Sequence, residues 1–142
     1  MSADTSTWIL MPMRWDPGSS PQLALKRYFN RGVHEVTTGW IEPESGFQLQ
    51  QTLGHLYATP MHGATVPLYG CKAGSVDYFL SRDINCEGYR ILGKNGYAYA
   101  QPVSGMDLVP LYRCRTAQDH FASKDQNCEG QKNEGLLGYV LP

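Results

Sequence analysis

The chain has 142 residues, a net charge of −1 and no apolar run near the roughly 20 residues that a membrane-spanning helix needs. Twelve basic residues against thirteen acidic ones leave no electrostatic footprint for nucleic acid or anionic lipid. The length suits one core and is short for two, so a single domain over 1–142 is expected.

Fifteen Gly, nine Pro and nine Tyr, with only 18% charged residues, favour many short strands joined by tight turns. In chain order, residues 1–24 read as an N-terminal strand and loop. Trp8-Ile9-Leu10-Met11-Pro12-Met13 looks like an extra copy of an apolar strand met again before Pro60-Met61 and Pro102-Val103. Arg14 to Pro21, with Asp16-Pro17-Gly18-Ser19-Ser20, reads as the one obvious flexible loop. Met1-Ser2-Ala3-Asp4 lacks the basic and apolar regions of a signal peptide.

From Leu25 onward the sequence repeats itself. Leu25-Lys26-Arg27-Tyr28, Leu68-Tyr69-Gly70-Cys71 and Leu111-Tyr112-Arg113-Cys114 align, with leading leucines two steps of 43 apart. Val33-His34-Glu35-Val36-Thr37, Asp77-Tyr78-Phe79-Leu80-Ser81 and Asp119-His120-Phe121-Ala122-Ser123 follow them. Each unit then leaves through an apolar segment holding Gly54, Gly96 or Gly138, two steps of 42. Short alternating runs broken by polar linkers are hairpin signals, and nothing of comparable length has a helical period. The expectation is an all-β fold of three internal repeats of about 42 residues, β-trefoil-like, with units 25–66, 67–108 and 109–142 and three or four strands in each. The first unit is expected to deviate around 38–47, where its alignment needs a gap.

The four cysteines fall as one pair in each of the last two units, spaced 15 and 14. Repetition of the same pair favours disulfides Cys71 to Cys86 and Cys114 to Cys128, each worth about 3 kcal/mol in the chain-entropy model. Free buried thiols and a metal site are the alternatives, but no C-x-x-C or histidine cluster stands at zinc-ligand spacing. No metal and no cofactor are expected. Disulfides imply an oxidising compartment, hence a secreted protein, and Met1 then reads as the start of a recombinant mature form.

Leu111-Tyr112-Arg113, Asp119-His120-Phe121, Glu129-Gly130 and Gly138-Tyr139 resemble the units of an extracellular repeat family. Weaker echoes stand in Leu68-Tyr69, Asp77-Tyr78-Phe79 and Glu87-Gly88. The likeness covers most of 25–142, through short motifs. It implies a domain of the kind appended to secreted bacterial and fungal proteins, wall and polysaccharide hydrolases among them, with carbohydrate or surface binding as its inferred role. The first unit departs from the pattern at Lys26, Tyr28 and Glu35, which leaves an equivalent third site open.

Sugar recognition needs hydroxyl partners beside an aromatic face. Asp77-Tyr78 and Asp119-His120 place a carboxylate next to a ring, with Tyr69, Arg113, Glu87 and Glu129 available to complete polar pockets. These eight are the candidate ligand-binding residues of a lectin-like domain with multiple shallow glycan sites. Core packing is the competing role for the Asp-ring pairs and for Tyr97, Tyr99 and Tyr139, and capping of local N–H groups for the two glutamates. Trp40 is either an exposed stacking platform or a plug beneath the strands. No enzyme is expected: the carboxylates recur by repeat rather than forming one glycosidase pair, and neither a Gly-x-Ser-x-Gly elbow nor an unpaired cysteine occurs. The rival reading is a secreted protein-binding module, such as a protease inhibitor, using a single irregular loop.

Overall fold

Leu25, Leu68 and Leu111, which open the three repeated segments, are fully buried. Each lies in a strand that pairs antiparallel with the two strands after it. The computed structural model describes residues 20–142, so the strand expected at Trp8–Met13 and nearly all of the Arg14–Pro21 loop lie outside the described residues.

The first triplet is β1 (Gln22–Asn30), β2 (Val33–Thr37) and β3 (Gln48–Tyr57). The second is β4 (Thr65–Ala73), β5 (Asp77–Ser81) and β6 (Arg90–Tyr99), and the third is β7 (Val109–Arg115), β8 (His120–Ser123) and β9 (Lys132–Val140). The all-β expectation holds: the helical residues described form three short 3-10 turns, Pro43–Ser45, Cys86–Gly88 and Cys128–Gly130. β1 and β4 start ahead of the unit boundaries expected at 25 and 67, because Gln22 pairs with Tyr57 and Thr65 with Tyr99 at the far ends of β3 and β6. The first hairpin closes over Arg31 and Gly32, both at positive φ, a geometry that suits the twist of the flanking strands.

Pairing register is the same in the three triplets. Leu25 faces Gly54, Leu68 faces Gly96 and Leu111 faces Gly138, and in each case one bulge follows the leucine and a second follows two residues later. The third strands then meet one another: Tyr57 pairs with Tyr97, Tyr99 with Tyr139, and an isolated bridge joins His55 to Leu141. The strands form an open sheet ordered β2-β1-β3-β6-β9-β7-β8, with β4 and β5 attached through β6.

The main core gathers where these strands converge, around the three leading leucines with Leu53, Leu56, Leu80, Ala98, Ala122, Leu137 and Val140. Tyr99 is buried and meets Tyr57 edge-on, whereas Tyr97 and Tyr139 are half-buried. Two satellite clusters surround the disulfides Cys71–Cys86 and Cys114–Cys128, which pair as the repeated spacing predicted. The first triplet has no disulfide. Its loop from 38 to 47 is longer than the corresponding loops, at the place where a gap was expected.

Glycine is required where the third strands cross. A Cβ on Gly54, at φ +153°, would stand 2.6 Å from the Leu141 carbonyl oxygen, and one on Gly96, at φ +146°, would stand 2.8 Å from the Tyr57 carbonyl oxygen. Such overlap with backbone cannot be relieved by a rotamer change. Gly54→Ala and Gly96→Ala are expected to destabilise the fold by about 1–3 kcal/mol each. Gly93→Ala, where a Cβ meets nothing within 4 Å, should stay within about 0.5 kcal/mol of wild type. Urea denaturation of the three variants measures the contrast.

Candidate functional site

Arg27, Gly70 and Arg113 occupy the same register position, between the two bulges of each first strand. A bulge re-aims the side chain it carries, and both arginines leave their own triplet to reach a neighbour. The Arg27 guanidinium donates to Glu129 at 2.7 and 3.2 Å and to the Ala122 carbonyl at 3.2 Å, and it lies 5.3 Å over the Phe121 ring. Arg113 repeats the arrangement on the second triplet. It donates to Glu87 at 2.7 and 3.2 Å and to the Leu80 carbonyl at 3.1 Å, 5.3 Å over the Phe79 ring.

Both glutamates are held in place by an unusual turn. Cys86, Glu87, Cys128 and Glu129 all have φ between 51° and 56°, a left-handed conformation that costs a non-glycine residue energy. The disulfide anchors one side of each turn. Asp83 accepts from the Asn85 and Glu87 N–H groups, Asp125 accepts from those of Asn127 and Glu129, and Ser81 and Ser123 donate to the glutamates at 2.6 Å. The capping expected of the glutamates therefore falls to the aspartates, which leaves each glutamate free to bind an arginine.

A second contact runs beside each arginine. The His34 N–H donates to Asp119 at 2.7 Å, and its ring Nδ1 stands 2.9 Å from the same carboxylate oxygen. His120 Nδ1 stands 2.7 Å from Asp77, and its Nε2 is 3.1 Å from Glu134. Arginine and histidine together latch the first triplet to the third and the third to the second.

The junction of the second triplet with the first has neither latch. Gly70 replaces the arginine, Glu35 stands where Phe79 and Phe121 provide the ring, and Tyr78 and Val33 hold the register positions of the His-Asp pair, with Tyr78 edge-on to Phe47. What remains is a cleft of about 230 Å³ bounded by Glu35, Val36, Thr37 and Thr38 on one side and by Gly70, Tyr78, Phe79 and Asn95 on the other. Burial raises the Glu35 carboxyl above its ordinary value, with the Lys72 charge opposing.

Asn95 occupies the position of Leu53 and Leu137, one residue before the exit glycine, and is only 7% exposed. Its Oδ1 accepts from the Thr38 N–H at 2.9 Å and from the Thr37 and Thr38 hydroxyls. The acceptor role orients the amide, so Nδ2 is turned toward Gly70, 3.2 Å from where a Cβ would stand. Among the described residues that Nδ2 donates no hydrogen bond, whereas Oδ1 accepts three.

Beyond Thr38 and Gly39 the surface continues into a shallow groove containing Trp40, Tyr28 and Lys26. Trp40 is 80% exposed, so it is not a plug beneath the strands.

Comparison with known proteins finds no match to a family model, a curated protein or a solved structure. Among the described residues no three His, Cys, Asp or Glu side chains converge as metal ligands.

The eight residues singled out in the sequence thus divide. Asp119 is 2% exposed, and its two carboxylate oxygens accept from His34 and Thr116. Asp77, His120, Arg113 and Glu87 take part in the latch between the second and third triplets and also line a pocket of about 210 Å³ there, Glu129 pairs with Arg27, and Tyr69 packs against the Cys71–Cys86 cluster. Tyr78 alone lines the open cleft. Arg27, Gly70 and Asn95 were not singled out and Glu35 was noted only as a departure from the pattern, although aligning the units shows each: Arg27 matches Arg113, while the other three break the pattern of their counterparts.

The latches are acid-sensitive. The hydrogen bond from Arg113 holds Glu87 below its ordinary 4.5, and that from Arg27 does the same for Glu129; burial opposes both, and Ser81 and Ser123 assist. A lowered carboxyl contributes stability that is present above 4.5 and is lost as pH falls through the lowered value. The Glu87→Gln, Glu129→Gln double variant should be less stable than wild type near pH ~7 and should approach it near pH ~3. Paired urea titrations at the two pH values test this.

Proposed function

We propose that this chain is a carbohydrate-binding, lectin-like domain of a secreted protein. Its three strand triplets are read as related units in a trefoil-like arrangement, and its glycan site is the open cleft between the first two, with Trp40 beside it. The observation that carries the reading is the pairing of a buried, unanswered amide donor on Asn95 with the Glu35 carboxylate in one cleft. A ligand there must accept at one point and donate at another, as a sugar does. The exposed indole adds a face on which the C–H side of a ring packs. The eight residues named from the repeat are read as holding the units together, apart from Tyr78.

Two disulfides and the lack of a helix, among the described residues, long and apolar enough to cross a membrane support the secreted placement. An exposed tryptophan on a loop peculiar to the first triplet also suits the rival class, a module that grips a protein.

A glycan array followed by calorimetry separates the two readings. Wild type is expected to bind a glycan, Trp40→Ala to weaken it about fivefold, and Gly70→Arg to abolish it by placing in the cleft the side chain that fills the other two junctions. Asp119→Ala should lower thermal stability and leave affinity unchanged. A folded protein that binds no glycan, or a glycan whose binding survives Gly70→Arg, overturns the reading.

A further inference from the structure

The cleft carries more chemical detail than a preference for sugars, and this step rests on the carbohydrate-binding reading. Its two sister junctions show what the space holds when filled: an arginine, on a ring and against a carboxylate. A cation is nevertheless the wrong occupant here. Asn95 turns an N–H donor into the space, which a guanidinium or ammonium has no lone pair to accept. The ring that an arginine would lie on is absent, because Glu35 replaces it.

An anion fits no better, since Glu35 would face it. The remaining requirement is a neutral group with one acceptor and one donor. Leu92, which is exposed, and Val36 add apolar lining to the cleft beside Asn95 and Glu35. A secondary amide bearing a methyl group meets all three conditions. Its carbonyl accepts from Asn95 Nδ2, its N–H donates to the Glu35 carboxylate, and its methyl covers the apolar wall.

We propose that the cleft binds the acetamido group of an N-acetylated amino sugar, with the adjoining ring of the chain lying toward Trp40. The buried amide donor is the second observation that makes this more than a depression in the surface. A buried donor left without a partner costs about 1–3 kcal/mol, which a ligand carbonyl would recover.

The probes are two tetrasaccharides with the same β-1,4 backbone, chitotetraose and cellotetraose, which differ in carrying acetamido or hydroxyl at carbon 2. Calorimetry is expected to show chitotetraose binding at least about tenfold more tightly, equivalent to about 1.4 kcal/mol. Asn95→Asp keeps the oxygen that holds Thr37 and Thr38 but removes the donor, and it should erase the preference. Gly70→Arg should abolish binding of both sugars, with circular dichroism confirming the fold.

Equal affinity for the two, both lost in Gly70→Arg, overturns the acetamido assignment and leaves the carbohydrate reading standing. A preference that survives Asn95→Asp does the same. Free L-arginine binding in the cleft in place of either sugar overturns the assignment in favour of a cation site. Failure of every glycan on the array overturns the carbohydrate reading, and the assignment with it.

Discussion

Three glycines at positive φ, 54, 96 and 138, allow β3, β6 and β9 to approach until the Cβ of an alanine would overlap the neighbouring backbone. Each glycine lies against a different triplet: Gly54 on Val140 and Leu141, Gly96 on Leu56 and Tyr57, Gly138 on Ala98 and Tyr99. The close crossing brings the leading leucines into one core and fixes how every triplet faces its neighbour. All side-chain contact between triplets is built outward from that crossing. An arginine that leaves its own strand at a bulge finds the next triplet's ring, carbonyl and carboxylate because the strands beneath are held so near.

Against that regular frame, the chemistry of the three junctions is unequal. Two are bridged by charge-paired groups: between the first and third triplets Arg27 is 6% exposed and the Asp119 carboxylate nearly inaccessible, and between the third and second Arg113 pairs with a half-exposed Glu87 beside a small pocket. Removing one partner of a buried pair leaves the other buried and unpaired, so the junction of the first and third triplets is poorly suited to open for a ligand. The third has exchanged arginine for glycine, phenylalanine for glutamate and leucine for asparagine. The first exchange removes bulk, and the other two replace apolar surface with hydrogen-bonding groups. The first triplet also lacks the disulfide that shapes the Cys-Glu-Gly turn in the other two, and its longer loop carries Trp40 to the surface instead. The loss of structural devices and the gain of exposed polar and aromatic groups coincide at one place.

The Cys-Glu-Gly turns show how local strain serves packing. Two successive residues at positive φ, neither of them glycine, are tolerable because a disulfide, an aspartate cap and a serine hydroxyl over-determine the conformation. The outcome is a glutamate aimed at a neighbouring triplet. A carboxylate three or four bonds out on a freely rotating loop would lose much of its contact with arginine to conformational entropy.

Strand content and disulfide pairing were legible in the sequence because both are local or repeated properties. Alternating apolar runs broken by Gly and Asn announce strands, and two cysteine pairs at matching spacing announce their own partners. Even the weak point at 38–47 showed, as a gap in the alignment. The roles of individual polar residues were another matter. Asp119, His120, Arg113 and Glu87 recur as a ligand-binding set would, and in the fold each meets a counterpart from a different triplet, tens of residues away. Only the tertiary structure decides which side chain faces which triplet, since the bulges that turn Arg27 and Arg113 outward and the crossing that sets the junctions leave no local signature. Asn95 illustrates the limit: in the sequence it is one polar residue where leucines stand in the other units, and only burial and the orientation imposed by Thr38 make its amide an unanswered donor in an open cleft.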